Sequence, residues 1–178
     1  MLLSFKGIKP RVAETAFVAP DATLVGDVTV GDQASIWFGA RLRGDMGPIV
    51  VGARSNIQDN VIIHLEIDGR TVIEEDVTVA HGAVLHNCTL KKGCLVGMNA
   101  VVLDNSVVGE GAMIAAGSVV VPGSEIPPGC LAVGIPARPK KELSGGSLNW
   151  VDKSADAYVR LAESYLREGT GRVFSPEG

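Results

Sequence analysis

The chain has 178 residues, enough for one domain with an appendage and a sizeable core. Charged residues make up 20% of it and the net charge is −4, which leaves no basic footprint for nucleic acid. The opening "MLLSFKGIKPRVAE" has no basic stretch followed by an apolar one, and no run of 18 apolar residues occurs, so a soluble cytoplasmic protein without a membrane partner is expected.

Residues 1–16 carry no clear period and read as an N-terminal segment. From residue 17 to 137 aliphatic residues recur six apart, each commonly followed by Gly or a polar residue, as in "VGMNAVVLDNSVVGEGAMIAAGSVV". Following the phase gives Leu24, Val30, Ile36; Leu42, Val51, Ile57; Ile63, Ile73, Val79; Leu85, Leu90, Val96; Val102, Val108, Ile114; Val120, Ile126, Ala132. A six-residue unit with one inward aliphatic is a short strand plus a turn, and three such units close a triangular coil. Six stacked coils of a parallel β-helix are therefore expected, with coils roughly 4.8 Å apart. A helix would need period 3.6 and a half-buried strand period 2. The 22 glycines suit the many tight corners. Cys88, Cys94 and Cys130 are odd in number and lack CxxC spacing, so they read as small buried residues rather than a disulfide or thiolate site.

Residues 138–148, rich in Pro, Gly and Ser, read as a linker. Residues 149–169 place Val151, Ala155, Tyr158, Val159, Ala162, Tyr165 and Leu166 at helical spacing, with Gly169 as a stop and 170–178 as a tail. Tyr158 is expected to pack rather than approach a metal.

All three histidines, His64, His81 and His86, fall within this coil region. Arg43, His64 and His86 each directly follow an inward residue of one face, so they stack in a column on successive coils. His64 and His86 then lie about 5 Å apart at the backbone. His81 stands two places after Val79 on another face, above Asp59, and five residues before His86, which is up to about 17 Å of extended chain. All three are not expected to meet within one chain. A threefold assembly would bring His81 of one copy to His64 and His86 of the next, giving three interface sites per trimer. The six-residue step is also broken beside this column, by the insertions "GDMGP" (44–48) and "EIDGR" (66–70), which are expected to form the rim of a site.

"RGD" at 43–45, "NIQD" at 56–59, His64, "HGAVLH" at 81–86 and "LVGMNAVV" at 95–102 together resemble the gamma-class carbonic anhydrase family, over about residues 10–140. The helix "AYVRLAESYLREG" also resembles that of its shorter bacterial members. The resemblance implies a left-handed β-helix, a homotrimer with interface active sites, and CO2 and bicarbonate as substrates. It implies that His64, His81 and His86 hold Zn2+, or Fe2+ or Co2+, with one ligand from the neighbouring chain. It matches Arg43, Asp45 and Asp59 to charged residues that join subunits and frame the site, and Gln58 and Asn56 to polar groups beside solvent and substrate. Three neutral imidazoles with an open fourth position suit catalytic zinc, which lowers the pKa of bound water to about 7. The family's archetype carries a glutamate straight after "RGD" and a longer acidic loop after the first histidine. Met46 stands at the first position here, and the second loop is only "LEIDGR". Glu66 is the candidate proton shuttle, and low turnover is expected. Two other functions share the scaffold: a hexapeptide acyltransferase with one histidine as general base, and a metal-binding trimer acting as a scaffold or on another small electrophile such as a thioester.

Overall fold

The computed structural model describes residues 1–171. Of the expected tail, residues 172–178 lie outside the described residues.

The chain winds into a parallel β-solenoid, and every inward position read from the six-residue period is buried. Three lanes run the length of the prism. Leu24, Leu42, Ile63, Leu85, Val102 and Val120 are successive strand partners on face A. Val30, Val51, Ile73, Leu90, Val108 and Ile126 are partners on face B. Ile36, Ile57, Val79, Val96, Ile114 and Ala132 complete face C. Each large aliphatic fully removed from water contributes about 1.5–3 kcal/mol, so one side chain per strand, stacked on apolar neighbours of similar size, is enough to hold the coil. Two long strands, Thr23–Val30 and Arg41–Val51, run through faces A and B and merge them into one 12-stranded sheet; face C belongs to an 8-stranded one.

Residues 1–16 are not a separate segment. Leu2 pairs with Leu24 and Val12 with Val30, and with Val18 against Ile36 they make a further coil ahead of the six expected. Its step from Leu2 to Val12 is ten residues and both side chains stay half-exposed at the prism end, so the period does not reveal it. The expected linker is also mostly structured. Ala137–Glu142 forms an antiparallel strand on Cys130–Gly134, covering the open edge of the last face C strand.

The helix runs Gly145–Arg167, four residues earlier than the pattern suggests. It ends in a Schellman motif: Gly169 has φ +76° and its N–H reaches the Leu166 carbonyl, while the Thr170 N–H reaches that of Tyr165. Val151, Ser154, Ala155, Val159 and Ala162 are buried against face C. Tyr158 and Tyr165 stand edge-on to Trp37, with ring centroids 5.3 and 5.4 Å away. Tyr158 therefore packs; burial first, and the Asp59 charge second, push its phenol above the ordinary value. Cys88, Cys94 and Cys130 are free and buried, and burial raises the Cys88 thiol to about 12.

Candidate metal centre

His64 and His86 end adjacent face A strands, Ile62–His64 and Val84–His86, and are direct register partners. Their ring centroids are 5.4 Å apart at an interplanar angle of 55°. The loop after His64 leaves the coil through the fully buried Leu65 and returns at Thr71, whose hydroxyl donates to the His64 carbonyl at 3.0 Å. The two insertions stack on each other beside this pair: the Asp68 N–H donates to the Met46 carbonyl at 3.0 Å. At Gly47 a Cβ would fall 2.2 Å from the Gly69 carbonyl oxygen, so only glycine permits that approach.

Each histidine has a carboxylate on one ring nitrogen. Asp45 Oδ1 lies 3.0 Å from His64 Nε2, Asp59 Oδ2 lies 2.8 Å from His81 Nδ1, and Asp104 Oδ1 is bonded to His86 Nδ1. An ionised carboxylate only accepts, so each contacted nitrogen of a neutral ring carries the proton and the other keeps its lone pair. The free lone pairs are Nδ1 of His64 and Nε2 of His81 and His86. Imidazoles held in one tautomer by an outer carboxylate are the donor chemistry of a divalent transition metal, so the residues present fit the group that the histidine spacing implies.

Asp45 is itself held by Arg43, whose Nη1 donates to Oδ2 at 2.7 Å. Partial burial pushes the Asp45 carboxyl up, but the hydrogen bonds from Arg43 and His64 together outweigh it and hold the group below its ordinary 3.8. Within one chain Arg43 thus pairs with Asp45, while Asp59 serves His81 on the far side of the corner that begins face A. Glu66 is exposed on the 66–70 turn. Asn56 and Gln58 sit under the helix on face C, both buried, with Gln58 Nε2 donating to Asn56 Oδ1 at 2.9 Å. Among the described residues of one chain, no three His, Cys, Asp or Glu side chains converge as a metal group. His64 and His86 come together; His81 stands apart, as its lane requires.

Asp104 is absent from the site read in the sequence, although a signal exists. Counting back from the Leu90 and Val108 pair places His86 opposite Asp104, because "VLHN" (84–87) and "VLDN" (102–105) are the same frame. The five-residue step from Leu85 to Leu90 shifts that frame by one, and counting forward from Leu85 hides it.

A family profile described as bacterial transferase hexapeptide (six repeats) matches residues 87–122. A protein of Geobacillus kaustophilus named carbonic anhydrase is 42% identical over 165 residues, which cover 93% of this chain and 91% of the relative. The chain belongs to the gamma-class carbonic anhydrase family. Gamma carbonic anhydrase 2, mitochondrial, of Arabidopsis thaliana is 41% identical across 90% of the chain, which spans 60% of that relative's length. Among solved structures, a hexapeptide transferase family protein from Anaplasma phagocytophilum superposes with a TM-score of 0.89 at 41% identity, over 92% of this chain and 97% of that one. A solved chain named for the hexapeptide transferases thus shares this coil.

Proposed function

We propose that this protein is a metal-dependent carbonic anhydrase that interconverts CO2 and bicarbonate at the interfaces of a soluble, cytoplasmic homotrimer. The observation that carries the reading is the His64–His86 pair, in register with rings 5.4 Å apart, each with its tautomer fixed by a carboxylate, in a chain 42% identical to a carbonic anhydrase. Zn2+, or Fe2+ or Co2+, completed by His81 of a neighbouring copy, would supply a Lewis acid that brings the pKa of water to about 7.

The chain's own residues divide the remaining work. Arg43 fixes Asp45, and Asp45 accepts the His64 Nε2 proton, so the histidine's lone pair points away from the salt bridge. Asp59 and Asp104 do the same for His81 and His86. Asn56 anchors the Gln58 amide, which orients solvent and substrate oxygen atoms. Glu66, exposed on the rim, exchanges protons with bulk water. With Met46 in place of the archetype's glutamate, this route is thinner and turnover is low.

Protein purified without oxygen should carry about one metal ion per chain and hydrate CO2 in a chelator-sensitive way. Full metal occupancy without hydration above background would overturn the reading. Transferase names, borne by the Anaplasma neighbour, a Bacillus cereus structure 40% identical to this chain and the matching profile, support the acyltransferase alternative. Acyl transfer from an acyl-CoA by metal-free protein would favour it.

A further inference from the structure

Face A carries an apolar hollow on the N-terminal side of the metal centre. It measures about 250 Å3, and Thr23, Val25, Arg41, Arg43, Ile62 and His64 surround it. The two arginines border it with their hydrocarbon stems: Arg41 turns its guanidinium to the Asp21 carbonyl at 2.8 Å, and Arg43 turns its own to Asp45 at 2.7 Å. A cavity of about 150 Å3 already holds benzene, so a phenyl ring fits.

Two columns of side chains bear on what fills it. Val25, Arg43, His64 and His86 follow the inward residues of face A on successive coils. Phe38, Asp59 and His81 stack at the corner where face A begins, since the Asn60 N–H donates to the Phe38 carbonyl and the Gly82 N–H to that of Asp59, both at 2.9 Å. The chain climbs the solenoid steadily, so order in the sequence is height along the prism. A threefold axis parallel to the prism rotates each copy without changing any height. His81 of one copy therefore meets the next between His64 and His86, Asp59 meets it between Arg43 and His64, and Phe38 meets it between Val25 and Arg43, at the hollow. The charges agree one step above: the Arg43 side chain is 49% exposed and that of Asp59 is 37% exposed. Phe38 is half-buried, with Tyr165 of the helix and Trp37 behind its ring at centroid distances of 5.9 and 6.5 Å. An aromatic held in place this way loses little freedom on docking.

We propose that the hollow on face A is a socket for Phe38 of a second copy of this chain, and that this contact sets the height at which His81 meets the His64–His86 pair. The inference rests on the trimer of the proposed function and adds to it an anchor that touches neither metal nor substrate. A slip of one coil, roughly 4.8 Å, would set the ring against the Arg43–Asp45 ion pair and draw His81 away from its partners. Phe38 is thus a positioning residue, acting on the metal through the register of the interface.

The test uses the full chain. Phe38→Ala removes the ring and Val25→Trp fills the socket from its own side. Each should raise the protein concentration at which trimers dissociate by about tenfold or more in analytical ultracentrifugation, and weaken Zn2+ binding, measured against a chelator, in the same sense. The double variant sets a small residue against a large one and should recover most of both losses. If Phe38→Ala fails to fold because the ring also packs on Trp37, Val25→Trp alone decides, since it leaves that aromatic cluster whole. A folded Val25→Trp protein that assembles as tightly as the parent, or a double variant weaker than either single one, would overturn the socket. A parent that is monomeric at micromolar concentration would overturn the trimer and the socket together. A trimeric parent that binds metal without hydrating CO2 would overturn only the proposed activity, and the paired variants would still decide the socket.

Discussion

A carboxylate on each imidazole narrows what single residues can do here. An imidazole free to rotate or change tautomer offers a metal only a fraction of its population in the right state, whereas one held by an outer acceptor is already arranged. Asp104 is the clearest case, because it lies on the coil after His86 and its side chain is 21% exposed, too far from water for solvent to take over its role fully. Replacing it by Asn keeps the size but lets the amide offer either an acceptor or a donor to Nδ1, so half of its orientations select the wrong tautomer. Asp104→Asn should therefore weaken metal binding by about 10–100-fold, measured by competition with a chelator, with the thermal midpoint of the metal-free protein little changed. Equal affinity in parent and variant would show that the His86 contact leaves the site indifferent. The cysteines sit at the other extreme: with its thiol pushed up to about 12 by burial, Cys88 packs as a small apolar residue and has no thiolate to offer a metal.

Elements in this fold are coils, and what joins one coil to the next outside the core is a small set of surface contacts. Glu74 on face B accepts from Lys91 Nζ at 2.8 Å and from the Lys92 N–H at 2.9 Å, on the following coil. The Lys91 hydrogen bond, opposed by some burial, holds the Glu74 carboxyl below its ordinary 4.5. A depressed folded-state pKa stabilises the protein at pH values above the unfolded one, and that stability is lost as pH falls through the folded value. Glu74→Gln should accordingly lower the melting temperature at neutral pH, by the equivalent of about 0.2–1 kcal/mol for so exposed a pair, and the difference should close as the pH falls below 4.5 and through the lowered folded value. A difference that widens on acidification would contradict the assignment. The lanes themselves were legible in the sequence because each coil must fill the same inward position with one aliphatic, from Leu24 to Ala132, and the core tolerates no slip. Less legible was whatever breaks the period. The first coil hides behind the ten-residue step from Leu2 to Val12, and Asp104 behind the five-residue step at His86. The helix starts among Gly145, Gly146 and Ser147, whose weak propensity reads as linker although tertiary packing of Val151 and Ala155 on the solenoid overrides it. The Ser154–Thr78 contact joins residues 76 positions apart, and no local pattern announces it.

At the scale of the whole molecule, the arrangement of faces decides what one chain can complete. Face A carries His64 and His86 at its far end, while His81 and Asp59 lie at the corner where it begins; between them the exposed Ile62 and the half-buried Val84 and Val101 make an outward apolar column. A second copy laid across that column would cover it and bring its own His81 corner to the first copy's histidine pair. This geometry makes a prediction that a single-chain site does not. Neither His64→Ala nor His81→Ala protein alone can form a three-nitrogen site. Mixed trimers can, because at some interfaces the His81→Ala chain supplies His64 and His86 while the His64→Ala chain supplies His81. Mixing His64→Ala with His86→Ala removes ligands from the same side, so each interface stays one nitrogen short. Metal binding and CO2 hydration should return in the first mixture and remain absent in the second, with subunit exchange checked by mass spectrometry of differently labelled chains. Recovery in both mixtures, or in neither despite exchange, would mean that the ligands are not divided between chains as His64 and His86 on one and His81 on the next.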